Sequence, residues 1–75
     1  MTALDVVFRY GSQPGESEMR ALNRMREVYG IRRILLDEKQ QTVRIEFDAS
    51  RLTEDIVAGL LRRAGIDVVQ KVALV

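Results

Sequence analysis

The chain has no cysteine and no histidine among its 75 residues. Without cysteine there is no disulfide to staple the fold and no thiolate for a soft metal. Without histidine, the usual general base and the commonest metal ligand are missing. Tryptophan is absent, aromatic residues make up 5% of the chain, and Pro14 is the single proline. Charge of one sign is lacking too: 12 basic residues against 11 acidic ones leave a formal net charge of +1. So even a balance gives no field that would gather nucleic acid or an anionic membrane, and neither is expected as a partner. The ten arginines and two lysines read as solvated helix faces. No apolar run approaches the roughly 20 residues that cross a bilayer. The N-terminal MTALDVVFRY lacks the basic stretch and long apolar run of a secretory signal. The missing cysteine fits a cytoplasmic location.

What is present is an apolar share of 47%, enough for one packed domain over residues 1–75. Residues 4–10 alternate as a strand, with Leu4, Val6, Phe8 and Tyr10 on one face and Val7 on the other. The stretch 10–19, YGSQPGESEM, then holds two glycines, two serines and the only proline. It is expected as the turn into a helix over residues 16–29. Met19, Leu22, Met25 and Val28 or Tyr29 line the apolar face of that helix. Glu16 and Glu18 suit its N-terminal dipole, Glu16 and Arg20 form an i,i+4 pair, and Gly30 stops it. Residues 31–37 form a second strand, with Ile34 and Leu36 on one face and Arg33 and Leu35 on the other. A polar turn leads into a third strand, residues 42–48, whose Val43, Ile45 and Phe47 point one way. Thr53 caps a second helix carrying Leu52, Ile56, Val57, Leu60, Leu61 and Ala64 at helical spacing; Gly65 ends it. Residues 66–75 contain the last strand.

The order β-α-β-β-α-β implies a ferredoxin-like α+β fold, with two helices on one face of a four-stranded antiparallel sheet. The first and third strands are expected in the centre, the second and fourth at the edges. The same residues resemble a heavy-metal-associated domain, the small fold of copper chaperones. Ile34-Leu35-Leu36-Asp37, Val43-Arg44-Ile45-Glu46-Phe47-Asp48, Leu52-Thr53-Glu54-Asp55-Ile56, Ala64-Gly65-Ile66 and Gly30-Ile31 follow that family's spacing. Met25 falls at its helix-core leucine, and residues 11–17 fall on its metal loop, Gly-Met-Thr-Cys-x-x-Cys.

The departures from that pattern bear on function. The two metal-binding cysteines of the family correspond to Pro14 and Ser17, its loop methionine to Ser12, and its metal-flanking aromatic or lysine to Ile66. Proline has no donor atom, and a serine hydroxyl is a poor ligand for Cu(I) or Zn(II). No metal, cofactor or metal-site residue is therefore expected, and Met19 and Met25 are read as core. The alternative is a metal carrier using unconventional ligands near the loop, from Glu16, Glu18 and Met19. Hard cations, however, take six or more oxygens. Gly11-x-x-x-Gly15 is read as a plain turn rather than an anion cradle, since it lacks the lysine of a phosphate loop.

No catalytic residues are expected, and the chain is read as not an enzyme: Ser12 and Ser17 have no histidine partner, and Asp48, Glu54 and Asp55 belong to a turn and a cap. RNA stacking needs exposed aromatics on the central strands, whereas Phe8 and Phe47 share the core-facing set. Arg9, Arg33 and Arg44 form a stripe that Asp5, Asp37 and Glu46 interrupt. What remains is a protein-interaction or scaffold role. Contact would run through the open sheet face, carrying Val7, Leu35, Val69 and Ala73, or through the C-terminal edge strand over residues 68–75, with a protein partner or a second copy.

Overall fold

The computed structural model describes residues 2–74. Its elements are β1 (Ala3–Tyr10), α1 (Glu16–Met25), β2 (Ile31–Asp37), β3 (Thr42–Asp48), α2 (Glu54–Arg63) and β4 (Val68–Leu74). Val75, the last residue of the expected C-terminal edge, lies outside the described residues.

The sheet order is β2-β3-β1-β4, with every pair antiparallel, so the fold is the expected ferredoxin-like one with β1 and β3 central. Period-two alternation sets its two faces. Val6, Phe8 and Tyr10 of β1 and Val43, Ile45 and Phe47 of β3 are buried, and Ile34 of β2 joins them. Leu22 and Met25 of α1 and Val57, Ala58 and Leu61 of α2 close over that layer. Burial of these apolar side chains is the main drive for the two layers to associate. None of the described helices is long and apolar enough to cross a membrane.

The helix ends follow from local chemistry. Thr53 caps α2, its Oγ1 accepting the Ile56 N–H at 3.2 Å. At the other end Gly65 takes φ +92°; its N–H donates to the Arg62 carbonyl, and the Ile66 N–H donates to the Leu61 carbonyl, both at 3.0 Å. These two bonds define a Schellman stop, which favours glycine because a Cβ is strained at positive φ.

Two sequence expectations need correction. α1 ends at Met25 and does not reach Tyr29. Beyond it the chain tightens: Glu27 N–H bonds Arg24 C=O and Val28 N–H bonds Met25 C=O, each at 3.0 Å and three residues apart. Such 3₁₀-type bonds commonly close a helix. Gly30, at φ +103°, therefore turns the chain into β2 rather than capping α1. Second, Met19 is 36% exposed, outside the core; Tyr29 is 71% exposed and Ile56 47% exposed. Met19 and Ile56 sit at the flank of an apolar stripe, where helical spacing alone does not separate rim from centre, and Tyr29 lies beyond the end of α1. β4 is at the edge as expected, but it is irregular. Its pairing with β1 shifts register between Val7 and Phe8 and between Arg9 and Tyr10, leaving Val69 and Val72 out of the ladder and largely exposed. Bulges of this kind bend an edge strand.

Candidate functional site

The antiparallel connections bring the β1–α1 loop, the β2–β3 hairpin and the α2–β4 turn to one end of the sheet. Gly11 N–H donates to the Asp67 carbonyl and Tyr10 N–H to the Gln41 carbonyl, each at 2.9 Å. Ser12 Oγ donates to Asp67 Oδ2 at 3.4 Å. A Cβ at Gly11 would lie 2.6 Å from that same carboxylate oxygen, so the absence of a side chain here permits the close approach of loop and turn.

The loop's polar groups are engaged with one another. Glu18 Oε1 accepts the Gly15 N–H at 2.8 Å, and Glu18 Oε2 accepts the Ser17 hydroxyl at 2.8 Å. The Ser17 hydroxyl and the Gly15 amide hold the Glu18 carboxyl below the usual carboxylate range. Glu18 thus takes the Gly15 amide in a capping-box bond and sets its own negative charge at the helix N-terminus, which disfavours an anion there. Glu16 pairs with Arg20 at 3.0 Å across the exposed face of α1. Pro14 is half-buried and Ser17 exposed. Among the described residues no group of three or more Asp, Glu, His or Cys is placed to hold a metal.

Two further carboxylates named from sequence, Glu54 and Asp48, are structural in their contacts. Glu54 meets Lys71 at 3.1 Å, tying α2 to β4. Asp48 is buried; its Oδ1 accepts the Ser50 N–H at 3.0 Å and the Ser50 hydroxyl at 2.7 Å. The Ser50 hydroxyl first, then the Ser50 amide, pull the Asp48 carboxyl below its ordinary value. Asp48-x-Ser50 is the kind of short polar pair that fixes a turn, and Asp48 opens a turn as its sequence reading has it.

The helices leave the other sheet face uncovered. Register places its side chains in rows across the strands. Arg33, Glu46 and Asp5 form one row; Leu35, Arg44, Val7 and Ala73 the next; Asp37, Thr42, Arg9 and Gln70 the third. The three apolar residues expected at regular strand positions are thus in one row, with Arg44 between Leu35 and Val7. Leu35 is 50% exposed and Val69, in its bulge, 57%. The arginine stripe is broken as expected: Arg44 meets Asp5 at 3.7 Å, and Glu46 stands opposite Arg33. A shallow concavity of about 710 Å³ runs beside this row, between Leu35, Arg44 and the hairpin residues Glu38, Lys39 and Gln40.

Two contacts were not visible in the sequence pattern. The Arg51 guanidinium lies 4.1 Å over the Tyr29 ring, a cation–π contact that accounts for an aromatic residue outside the core. Arg26 donates from Nη2 to the Ile34 carbonyl at 3.1 Å, bridging the end of α1 to the outer strand β2. Comparison with protein-family models, with curated proteins and with solved structures found no match.

Proposed function

We propose that this chain is a metal-independent protein-interaction module, on a fold resembling that of heavy-metal-associated domains, and that its partner is a second copy engaged through the sheet. The observation that carries the reading is the uncovered sheet face. Leu35, Val7 and Ala73 share one row there, and Leu35 is half exposed. Apolar side chains grouped on a face that the molecule's own helices do not cover mark a contact surface. The loop supports the same reading from the opposite direction. Pro14 and Ser17 stand where the resemblance puts thiolates, and the Ser17 hydroxyl and both oxygens of Glu18 are spent within the loop. Of the carrier's three residues, Glu16 is paired with Arg20 and Glu18 is engaged by Gly15 and Ser17, which leaves the 36% exposed Met19 with too few donors beside it for a carrier built on unconventional ligands. A cytoplasmic setting, which a chain without cysteine tolerates, completes the proposal.

Sedimentation velocity across micromolar to millimolar concentration tests the self-association; a monomer throughout defeats it. Titration with Cu(I), Zn(II) and Ni(II), followed by calorimetry and NMR, tests metal independence. Submillimolar binding with shifts centred on residues 11–19 overturns that part and revives the carrier.

A further inference from the structure

We infer that the second copy docks on β2, antiparallel to its own β2, with the two-fold axis at Leu35. This rests on the self-association reading above but places the contact at the β2 edge, where Leu35 is the one residue of the apolar row that meets the other copy, and it names the strand and the register. Of the two sheet edges, β4 is broken by two register shifts, whereas β2 carries one, between Ile31 and Arg33, and pairs without interruption from Arg33 to Asp37. Backbone phase decides which groups of β2 face outward. Tyr10 N–H bonds Gln41 C=O at 2.9 Å and Ala49 N–H bonds Thr2 C=O at 2.8 Å, so even-numbered residues of β1 exchange hydrogen bonds with odd-numbered residues of β3. Val43 and Ile45 therefore aim their backbone groups at β1. Their β2 partners, Leu36 and Ile34, aim theirs away from the sheet. The Arg26 guanidinium on the Ile34 carbonyl, at 3.1 Å, reports that outward direction and fills the edge acceptor in the single copy.

An antiparallel copy must match outward groups with outward groups. That condition admits only registers centred on a residue, which also keep the helix face with the helix face. Charge selects among them. The sequence Arg33-Ile34-Leu35-Leu36-Asp37 reads as cation, three apolar residues, anion. Centred on Leu35, each Arg33 stands opposite the other copy's Asp37, Leu35 meets Leu35, and Ile34 and Leu36 exchange backbone hydrogen bonds. A centre at Ile34 sets Arg33 against Leu35, a centre at Leu36 sets Asp37 against Leu35, and parallel pairing in register stacks like charges. Arg26 must leave the Ile34 carbonyl, whose place a Leu36 N–H takes. The rows of the two open faces then continue across eight strands.

The native chain has no cysteine, so Leu35→Cys and, on β4, Gln70→Cys each carry a single thiol. At a non-hydrogen-bonded pair the two Leu35 Cα atoms stand about 4.5 Å apart, within disulfide range. Under mild oxidation Leu35→Cys is expected to form the linked dimer at least about tenfold faster than Gln70→Cys, by proximity. Arg33→Asp, placed against Asp37 and checked for folding by circular dichroism, is expected to weaken the sedimenting dimer at least about fivefold. Dimers in which Leu35→Cys links no faster than Gln70→Cys, or which tolerate Arg33→Asp, overturn this inference alone. A monomer at all concentrations, with Arg26 and the two charges guarding the edge, defeats the self-association reading as well.

Discussion

The Tyr10 ring is buried in the core, and among the described residues its hydroxyl has no hydrogen-bond partner. Burial first, then the nearby negative charges of Glu38 and Asp37, raise its pKa above the ordinary tyrosine value. A hydroxyl taken out of water without a partner opposes folding, so Tyr10→Phe is expected to stabilise the chain by about 1 kcal/mol. Urea unfolding checks this; a lower midpoint for the variant counts against it. Asp48 and Glu18 behave in the opposite sense. Both carboxyls titrate below their ordinary values because hydroxyl and amide donors favour the charged form. A carboxylate whose folded pKa is depressed contributes stability above its unfolded pKa and loses it as pH falls through the folded value. The contribution is therefore complete above about pH 5 and declines from about pH 4 downward. Asp48→Asn is expected to lower Tm at pH 7, with the gap from the native chain closing toward about pH 2. Thermal scans across that window read it, and a gap independent of pH would remove the carboxylate from the account.

At the scale of elements, two glycines of the second half predict opposite outcomes. Gly65 holds φ +92°, and a Cβ there would lie 3.0 Å from Glu18 Cγ. Gly65→Ala is expected to cost about 1–2 kcal/mol, through strain at positive φ. Gly59 lies inside α2 with nothing within 4 Å of an added Cβ. Gly59→Ala is expected to gain about 0.5–1 kcal/mol from helix propensity and a less disordered unfolded chain. Chemical denaturation of the pair settles both signs. The same elements explain how much the sequence discloses. Alternation in β1 and β3 and the cap at Thr53 are local and periodic, so strand order, core face and the start of α2 were legible. The early end of α1 was not, because Val28 and Tyr29 continue the apolar spacing while the backbone has already tightened three residues apart. The bulges in β4 leave no mark in a run as uniform as Val68-Val69-Gln70-Lys71-Val72. Arg26 bridges α1 to the β2 edge across a tertiary distance that no spacing rule reaches. In the loop, the missing donors at Pro14 and Ser17 were readable from residue type, but the engagement of Glu18 with Gly15 and Ser17 required geometry.

For the molecule as a whole, the packed core and the β1–α1 loop are separable. The core is drawn from strands and helix faces with Ile66 of the α2–β4 turn, and no residue between Gly11 and Gly15 belongs to it. Chemistry can therefore change at the loop while the fold stands. Gly15 caps α1 and Ser17 lies in its first turn, so a thiol at position 17 would sit at a helix N-terminus, where thiolates are stabilised. Position 14 lies one residue before that cap. Pro14→Cys with Ser17→Cys is expected to create a soft-metal site that the native residues do not supply, because the Cys-x-x-Cys spacing provides the two thiolates that Cu(I) prefers. Competition against a chromophoric Cu(I) chelator should show one metal per double variant, and saturating metal should raise its Tm by linkage. Without metal, the variant should unfold within about 1 kcal/mol of the native chain, since replacing Pro14 mainly loosens the unfolded state. Metal binding with an unchanged fold would mean that donor type alone separates this loop from a metal loop. A double variant that folds and ignores Cu(I) would mean that the loop backbone has departed as well, the Glu18 carboxylate having taken the helix end for itself.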